Sequence, residues 1–375
     1  MTSFNFDHPL DASSDAGLFT PELSSDELNA LMKQIKIHLQ EASSQTLQQS
    51  SVLYWLSYGL YCAVSKKEPG IVQQASEIIS NFIQKDPIIF MSLLKQTIPG
   101  GKFKGLTPLY LWVNNFHLAT FNPDNFPYIK AMNLIFTQLL TEPFRESFSA
   151  GLMEQVTTEV DAKGKTPLFV LSQALLQATT EPYNEDCPLL IAHLLKEMLV
   201  SCPVLGLAAS KPILEGGLIH KSVVYMLACA LRAATRTSHD AVAMICELLD
   251  RIHAQYPVEC DQILSSDVGE GNYKGYHPLH IILTALVSAA YLDNNVKDVT
   301  KIADLIKHVV DSSENAIHLQ AMQAPITSGV NLNQTGFMLL ERARYLAERS
   351  NIPTEIFDAV CQRIKQSEES TTRLR

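Results

Sequence analysis

Two kinds of apolar text alternate along the chain. In the first, apolar residues return at i, i+3, i+4 and i+7 with a polar side between them, the pattern of an amphipathic helix. It runs through 24–42, where Leu28, Leu31, Ile35 and Leu39 form the stripe behind a Ser24 or Ser25 cap, and through 73–84, 128–140, 187–199, 239–255 and 299–312. The second kind is apolar on nearly every side, rich in alanine and leucine, and opens on a short turn; it occupies 50–64, 104–119, 163–178, 220–234, 274–289 and 334–348. Aligning its central apolar positions gives Leu53, Leu109, Leu168, Val224, Leu279 and Leu339, at intervals of 56, 59, 56, 55 and 60 residues. A near-constant interval marks tandem repeats, none of which buries its apolar face alone. The pattern predicts an all-α helical solenoid of about six elongated helix-turn-helix repeats over 23–365, between a leader at 1–22 and a polar tail at 366–375. A closing helix is expected at 353–364. With two helices assigned to each repeat, 144–160 and 256–273 become long connections, expected to hold either binding loops or extra short helices.

Three repeats open on a shared box: Gly105-Leu106-Thr107-Pro108-Leu109, Gly164-Lys165-Thr166-Pro167-Leu168 and Gly275-Tyr276-His277-Pro278-Leu279-His280. Glycine permits the turn, threonine supplies a capping oxygen, and proline at the first helical position gives up only an N–H that has no partner there. These boxes resemble the Gly-x-Thr-Pro-Leu-His opening of ankyrin repeats, and the lead-ins at 160–164 and 329–336 look like the turn that precedes it. The resemblance touches residues 50–350 and implies antiparallel helix pairs, turns projecting to one side and a concave protein-binding face. The period, near 57 residues, departs from the ankyrin value of about 33, and two or three repeats lack the box. One elongated repeat per interval is the favoured reading; two ordinary repeats, or a unit of the HEAT or armadillo kind, are the alternatives. The tail cluster Glu368-Glu369-Ser370-Thr371-Thr372 resembles the secretion signals of type IV effectors. That resemblance implies an effector of a Legionella relative, delivered to the host cytosol by a non-classical route, with a host protein as partner.

Composition narrows the classes. Hydrophobic residues at 46% against 18% charged exclude general disorder. Lysine and arginine number 29 against 39 acidic residues, a formal charge of -10 that argues against nucleic acid as partner. Seven cysteines without a CxxC fit a reducing compartment. The first residues lack the basic and apolar regions of a secretory signal, and the longest apolar patches fall short of a bilayer span. A soluble, cytoplasmic-type protein without a transmembrane segment is expected.

The chemistry-bearing residues read mostly as structure. His277 and His280 flank Pro278 as a possible metal or catalytic pair, but no third and fourth ligand is visible, and hydrogen-bonded ties between repeats are the stronger reading. The alternative function is an effector enzyme, a cysteine hydrolase or host-protein modifier, with Cys187, Cys202 or Cys260 as nucleophile and His193, His220 or His277 as base; no flanking signature supports it. Cys229 and Cys246 lie in apolar helical text and read as core. Gly100 to Gly105, Gly216-Gly217 and Gly269-Glu270-Gly271 read as turns, because they lack the order of a phosphate-binding loop. No catalytic residue, metal or cofactor is therefore expected. Aromatics near the turns (Tyr110, Trp112, Phe116, Tyr273, Tyr276) and lysines at them (Lys104, Lys163, Lys274) form the candidate partner-binding set. Phe169 and Tyr225 suit packing better, and Lys165 and Lys221 extend the basic positions, which favour an acidic peptide or an anionic membrane. The expected function is a non-catalytic protein-interaction scaffold that binds through its turns and concave face.

Overall fold

Ser24 opens the first helix, α1 (Ser25–Glu41), with a reciprocal cap: its Oγ accepts from the Glu27 N–H at 3.3 Å while Glu27 Oε2 accepts from the Ser24 N–H at 2.8 Å. In the computed structural model, residues 23–362 are described apart from 49, 100–102, 157–161, 182–184, 216–217, 219, 270, 293–294, 313–316 and 356, and all regular elements among them are helical. After α1 and α2 (Ser44–Gln48) come α3 (Val52–Lys66), α4 (Pro69–Lys85), α5 (Pro87–Lys95), α6 (Pro108–Ala119), α7 (Phe126–Leu139) and α8 (Arg145–Met153). The second half holds α9 (Pro167–Thr180), α10 (Asp186–Ser201), α11 (Val204–Ser210), α12 (Val223–Ala234), α13 (His239–Gln255) and α14 (Pro257–Leu264). It continues with α15 (Pro278–Tyr291), α16 (Val296–Ser312), α17 (Ile317–Gln323) and α18 (Gly336–Arg349), and 357–362 are helical beyond it.

Each repeat thus contains three helices, A, B and C, where two were expected. Of the two contents expected at 144–160 and 256–273, binding loops or extra short helices, the structure shows the second, the C helices α8 and α14. Their signal is a proline at the B–C junction, repeated as Pro87, Pro143, Pro203 and Pro257 and followed each time by an apolar residue. A proline ends the preceding helix and starts the next at no loss of a needed N–H, so a helix of seven to nine residues fits behind it.

The chain divides into two compact units, Met1–Ala174 and Leu175–Arg375, with the boundary inside α9. In the first, α3 packs on α6, α4 on α7 and α5 on α8, while α1 and α2 supply the B and C helices of a half-repeat ahead of them. In the second, α12, α15 and α18 form one file, α10, α13 and α16 another, and α11, α14 and α17 a third. Within each unit, like helices stack on like in a solenoid-like way. This explains the two kinds of apolar text: a B helix has one packed face, whereas the A helix α15, flanked by α12 and α18, buries every residue from Pro278 to Ala290 except Ser288. The last A helix closes its stack by sequence. At a shift of 58 residues from α15, Leu283, Leu286 and Ala290 give way to Glu341, Arg344 and Glu348, and Arg344 bonds Asp358 at 2.9 Å.

Successive repeats meet at a small hairpin that recurs five times. The N–H of Ile98, Val156, Ile213, Val268 and Ile326 donates to the carbonyl of Leu106, Lys165, Lys221, Tyr276 and Gln334, and the same five residues accept from the N–H of Gly105, Gly164, His220, Gly275 and Asn333, all at 2.8–3.0 Å. Those last five residues have positive φ, from 64 to 86°. The missing glycines of the box are therefore not missing turns: His220 and Asn333 take the left-handed position in the repeats that lack Gly. The hairpin also sets the register. Phe337, not Leu339, is the counterpart of Leu279, since each lies four residues past the positive-φ residue of its repeat, and the intervals become more even.

The hairpin geometry yields a paired expectation. A Cβ on Gly275 would stand 2.1 Å from Thr327 Oγ1 and 3.1 Å from the Ser328 backbone nitrogen, at φ +76°. Gly275→Ala should lose about 2 kcal/mol or more in urea denaturation, whereas His220→Gly, which relieves left-handed strain, should gain up to about 1 kcal/mol. A loss in both variants would refute the equivalence of the two positions.

Candidate functional site

The A helices and the hairpins beside them carry the sequence-derived candidates, and the structure sorts these into three groups. The third residue of each A helix is Tyr54, Tyr110, Phe169, Tyr225, His280 or Met338. The first five are buried and only the terminal Met338 is open. Tyr110 belongs to this internal column, Trp112 and Phe116 are fully buried, and Tyr276 is 3% exposed. These four rings are core, and their burial leaves no face for a partner. Tyr110, Trp112 and Phe116 lie within α6 and Tyr276 just ahead of α15, and in each case neighbouring side chains cover the ring.

Tyr273 belongs to a second group. It is the first residue of the hairpin turn and lies back on the A helix of the preceding repeat: Arg232 Nη1 donates to its hydroxyl at 2.7 Å, and the guanidinium carbon lies 5.5 Å from the ring centre. Phe103 does the same in the first unit, with ring centres 5.3 Å from Tyr61 and 6.1 Å from Tyr58. The third group, Lys104, Lys163 and Lys274, occupies the second turn position, the outward corner, and all three are exposed. A turn whose third residue is left-handed points its second residue away from the chain, which is why polar lysines recur there.

His280 is an internal tie. Its Nδ1 accepts from the His277 N–H at 3.3 Å and its Nε2–H donates to the Ala321 carbonyl at 2.8 Å, joining α15 to α17. Burial, and secondarily the neighbouring His277, lowers its pKa to about 4. Among the described residues no group of three His, Cys, Asp or Glu side chains is placed to hold a metal ion. The cysteine alternative fares no better. Burial raises the Cys187 thiol to about 12 and raises Cys260 further, the reverse of what a thiolate nucleophile needs. Among the described residues no side-chain hydrogen bond links either thiol to His193, His220 or His277. Cys202 is buried, and Cys229 and Cys246 are core, as the sequence indicated.

The B face is different in kind. In the second unit a groove of about 650 Å³ between α10, α13 and α16 is lined by Leu189, Met244, Cys246, Asp250, Lys301 and His308. Ion pairs cross between successive B helices around it: Lys196–Glu247 at 2.8 Å, Lys297–Asp240 at 3.4 Å and His308–Asp250 at 3.0 Å. Beneath it the buried His253 and Asp261 bond at 2.9 Å, clamping α13 to α14. In the first unit the α4–α7 groove exposes Leu134 and the α5–α8 groove exposes Ile88.

Several sequence features lie outside the described residues: the leader 1–22, Gly100 to Lys102, Gly216-Gly217, Glu270 and the tail cluster at 368–372. Among the described residues no single helix is long and apolar enough to cross a membrane. No protein-family model, no curated protein and no solved structure matches the chain.

Proposed function

We propose that the chain is a non-catalytic protein-interaction scaffold that reads its partner through the hairpin corners and the A-helix surface beside them. One observation carries this reading. The hairpin frame is constant through five repeats in its backbone bonds, its left-handed residue and its buried β-branched start, while its exposed corner varies from Lys104, Lys163 and Lys274 to Leu332. In the last hairpin Val330 and Leu332 are 90% and 53% exposed. A fixed frame with variable corners separates the packing duty from the recognition duty, the division found in repeat scaffolds. The finer reading, ankyrin-like repeats with a third helix added and a partner held on a concave face, is supported by the Gly-x-Thr-Pro-Leu text, by Thr107 and Thr166 Oγ1 each capping at 3.1 Å, and by proline at the first helical position. One repeat domain over 23–365 is part of the same proposal. A host protein as partner, and delivery as a secreted effector, rest on the tail resemblance alone.

The test is affinity capture from eukaryotic lysate with mass spectrometry, comparing wild type with a corner variant combining Lys104→Glu, Lys163→Glu, Lys274→Glu, Val330→Ser and Leu332→Ser. All five side chains are exposed, so melting should be unchanged. Partners held by wild type should fall at least tenfold in the variant. Retention of the same partners would transfer the role to the B and C faces.

A further inference from the structure

The second unit concentrates positive charge at one hairpin. Lys221 Nζ lies 5.8 Å from the centre of the Tyr225 ring and 3.3 Å from where a Cβ on Gly271 would stand, so the glycine of the 268–276 hairpin leaves room for it. Arg232 reaches the same hairpin through Tyr273, and Lys274 follows Tyr273 directly at the exposed corner. The two tyrosine rings hold the inner cations in place. Among the described residues Lys221, Arg232 and Lys274 form no ion pair, and the Nε of Arg232 has no hydrogen-bond partner. The B face of the same unit is the opposite case, since Lys196, Lys297 and Lys307 each meet a carboxylate. In a chain with 39 acidic residues against 29 basic, three cations gathered around one turn with no carboxylate partner among the described residues are charges left for a ligand.

We infer that the turn at residues 271–276 and the adjoining surface of α12 bind an acidic peptide segment of a protein partner, with Lys221 and Lys274 meeting its carboxylates and Arg232 supplying charge behind Tyr273. The inference rests on the scaffold reading and adds the chemistry of the partner. A peptide is favoured over a lipid surface because the cations are distributed along a hairpin and a helix and are braced by rings. Such an arrangement suits alternate side chains of an extended segment. An acidic segment also matches cations that meet no carboxylate among the described residues.

The experiment uses the full chain and a fluorescein-labelled peptide of alternating glutamate and glycine, read by anisotropy. A lysine–glycine peptide, phosphatidylserine vesicles and a single-stranded oligonucleotide form the other arms. The glutamate peptide should bind saturably and weaken with salt. The double variant Lys221→Glu plus Lys274→Glu should weaken it at least tenfold, and the B-face control Lys196→Glu less than twofold. Arg232→Gln, which also frees Tyr273, should weaken binding and is compared at equal helicity. Absence of saturable binding, equal loss in the Lys196 control, or variant-sensitive binding only to vesicles or oligonucleotide would overturn the inference. If the corner variant loses its lysate partners while the glutamate peptide ignores the double variant, the scaffold stands and the acidic-peptide assignment falls.

Discussion

Trp112→Ala is expected to remove about 4 kcal/mol from the stability of the first unit. The indole is fully buried in α6, its ring centre lies 6.0 Å from that of Phe90 in α5, and its Nε1–H donates to Ser57 Oγ in α3 at 2.8 Å. Ser57 in turn donates to the Leu53 carbonyl at 2.6 Å, and Tyr128 of α7 donates its hydroxyl to the Trp112 carbonyl at 3.2 Å. One side chain therefore joins two successive repeats, and truncation leaves both a cavity and a hydroxyl short of a donor. Trp112→Phe keeps most of the volume and should lose only about 1–2 kcal/mol, mostly from the lost hydrogen bond. The chain has two tryptophans, so Trp55 remains to report on the first unit during urea denaturation. A loss below about 1 kcal/mol in Trp112→Ala would show that the ring does not bridge the repeats.

The same residue shows where sequence reasoning reaches and where it stops. Helical periodicity located every B helix, and the register of the A helices was correct in five repeats, because burial of one stripe is written directly in spacing. The C helices enter the sequence reading only as one alternative at 144–160 and 256–273, because seven to nine residues give little more than two turns, too short for a periodic signal. Their repeated prolines were visible, but their meaning depends on knowing that a helix ends before each. The hairpins escaped for another reason. His220 and Asn333 share with Gly275 a backbone conformation, not a side-chain type, so the turn at His220 gives no signal and the one at Asn333 shows only through its lead-in at 329–336. In the sequence Trp112 and Tyr276 look like interface residues because their rings stand near turns. Whether a ring beside a turn faces solvent or the next repeat depends on stacking that spacing does not encode. The lysine corners, in contrast, can be placed from sequence, since the outward position of a tight turn readily keeps a long charged chain in water.

Acid should act on the second unit through His280, and the expected loss is roughly 3 kcal/mol as pH falls from 6.5 to 4. The imidazole is fully buried and uses both nitrogens, Nδ1 as acceptor from the His277 N–H and Nε2 as donor to the Ala321 carbonyl. A second proton has to enter at Nδ1, where it would oppose that N–H and introduce a charge without water. The folded pKa of about 4 thus lies below the ordinary 6.5, and in between the unfolded chain binds the proton while the folded chain does not. Stability is then complete above pH 6.5, declines through the interval and levels off below pH 4. His280→Gln is expected to flatten that decline, at the expense of some stability at pH 7, because its side chain does not titrate. In the first unit His117, lowered to about 4 by burial and then by Lys165, acts in the same direction and is unaffected by this substitution. Hydrogen exchange of the α15 amides at pH 7 and 4.5 separates the two contributions. An equal fall in α15 protection for wild type and His280→Gln would place the acid sensitivity elsewhere. A fall confined to wild type would identify the tie between α15 and α17 as the point where protonation opens the stack.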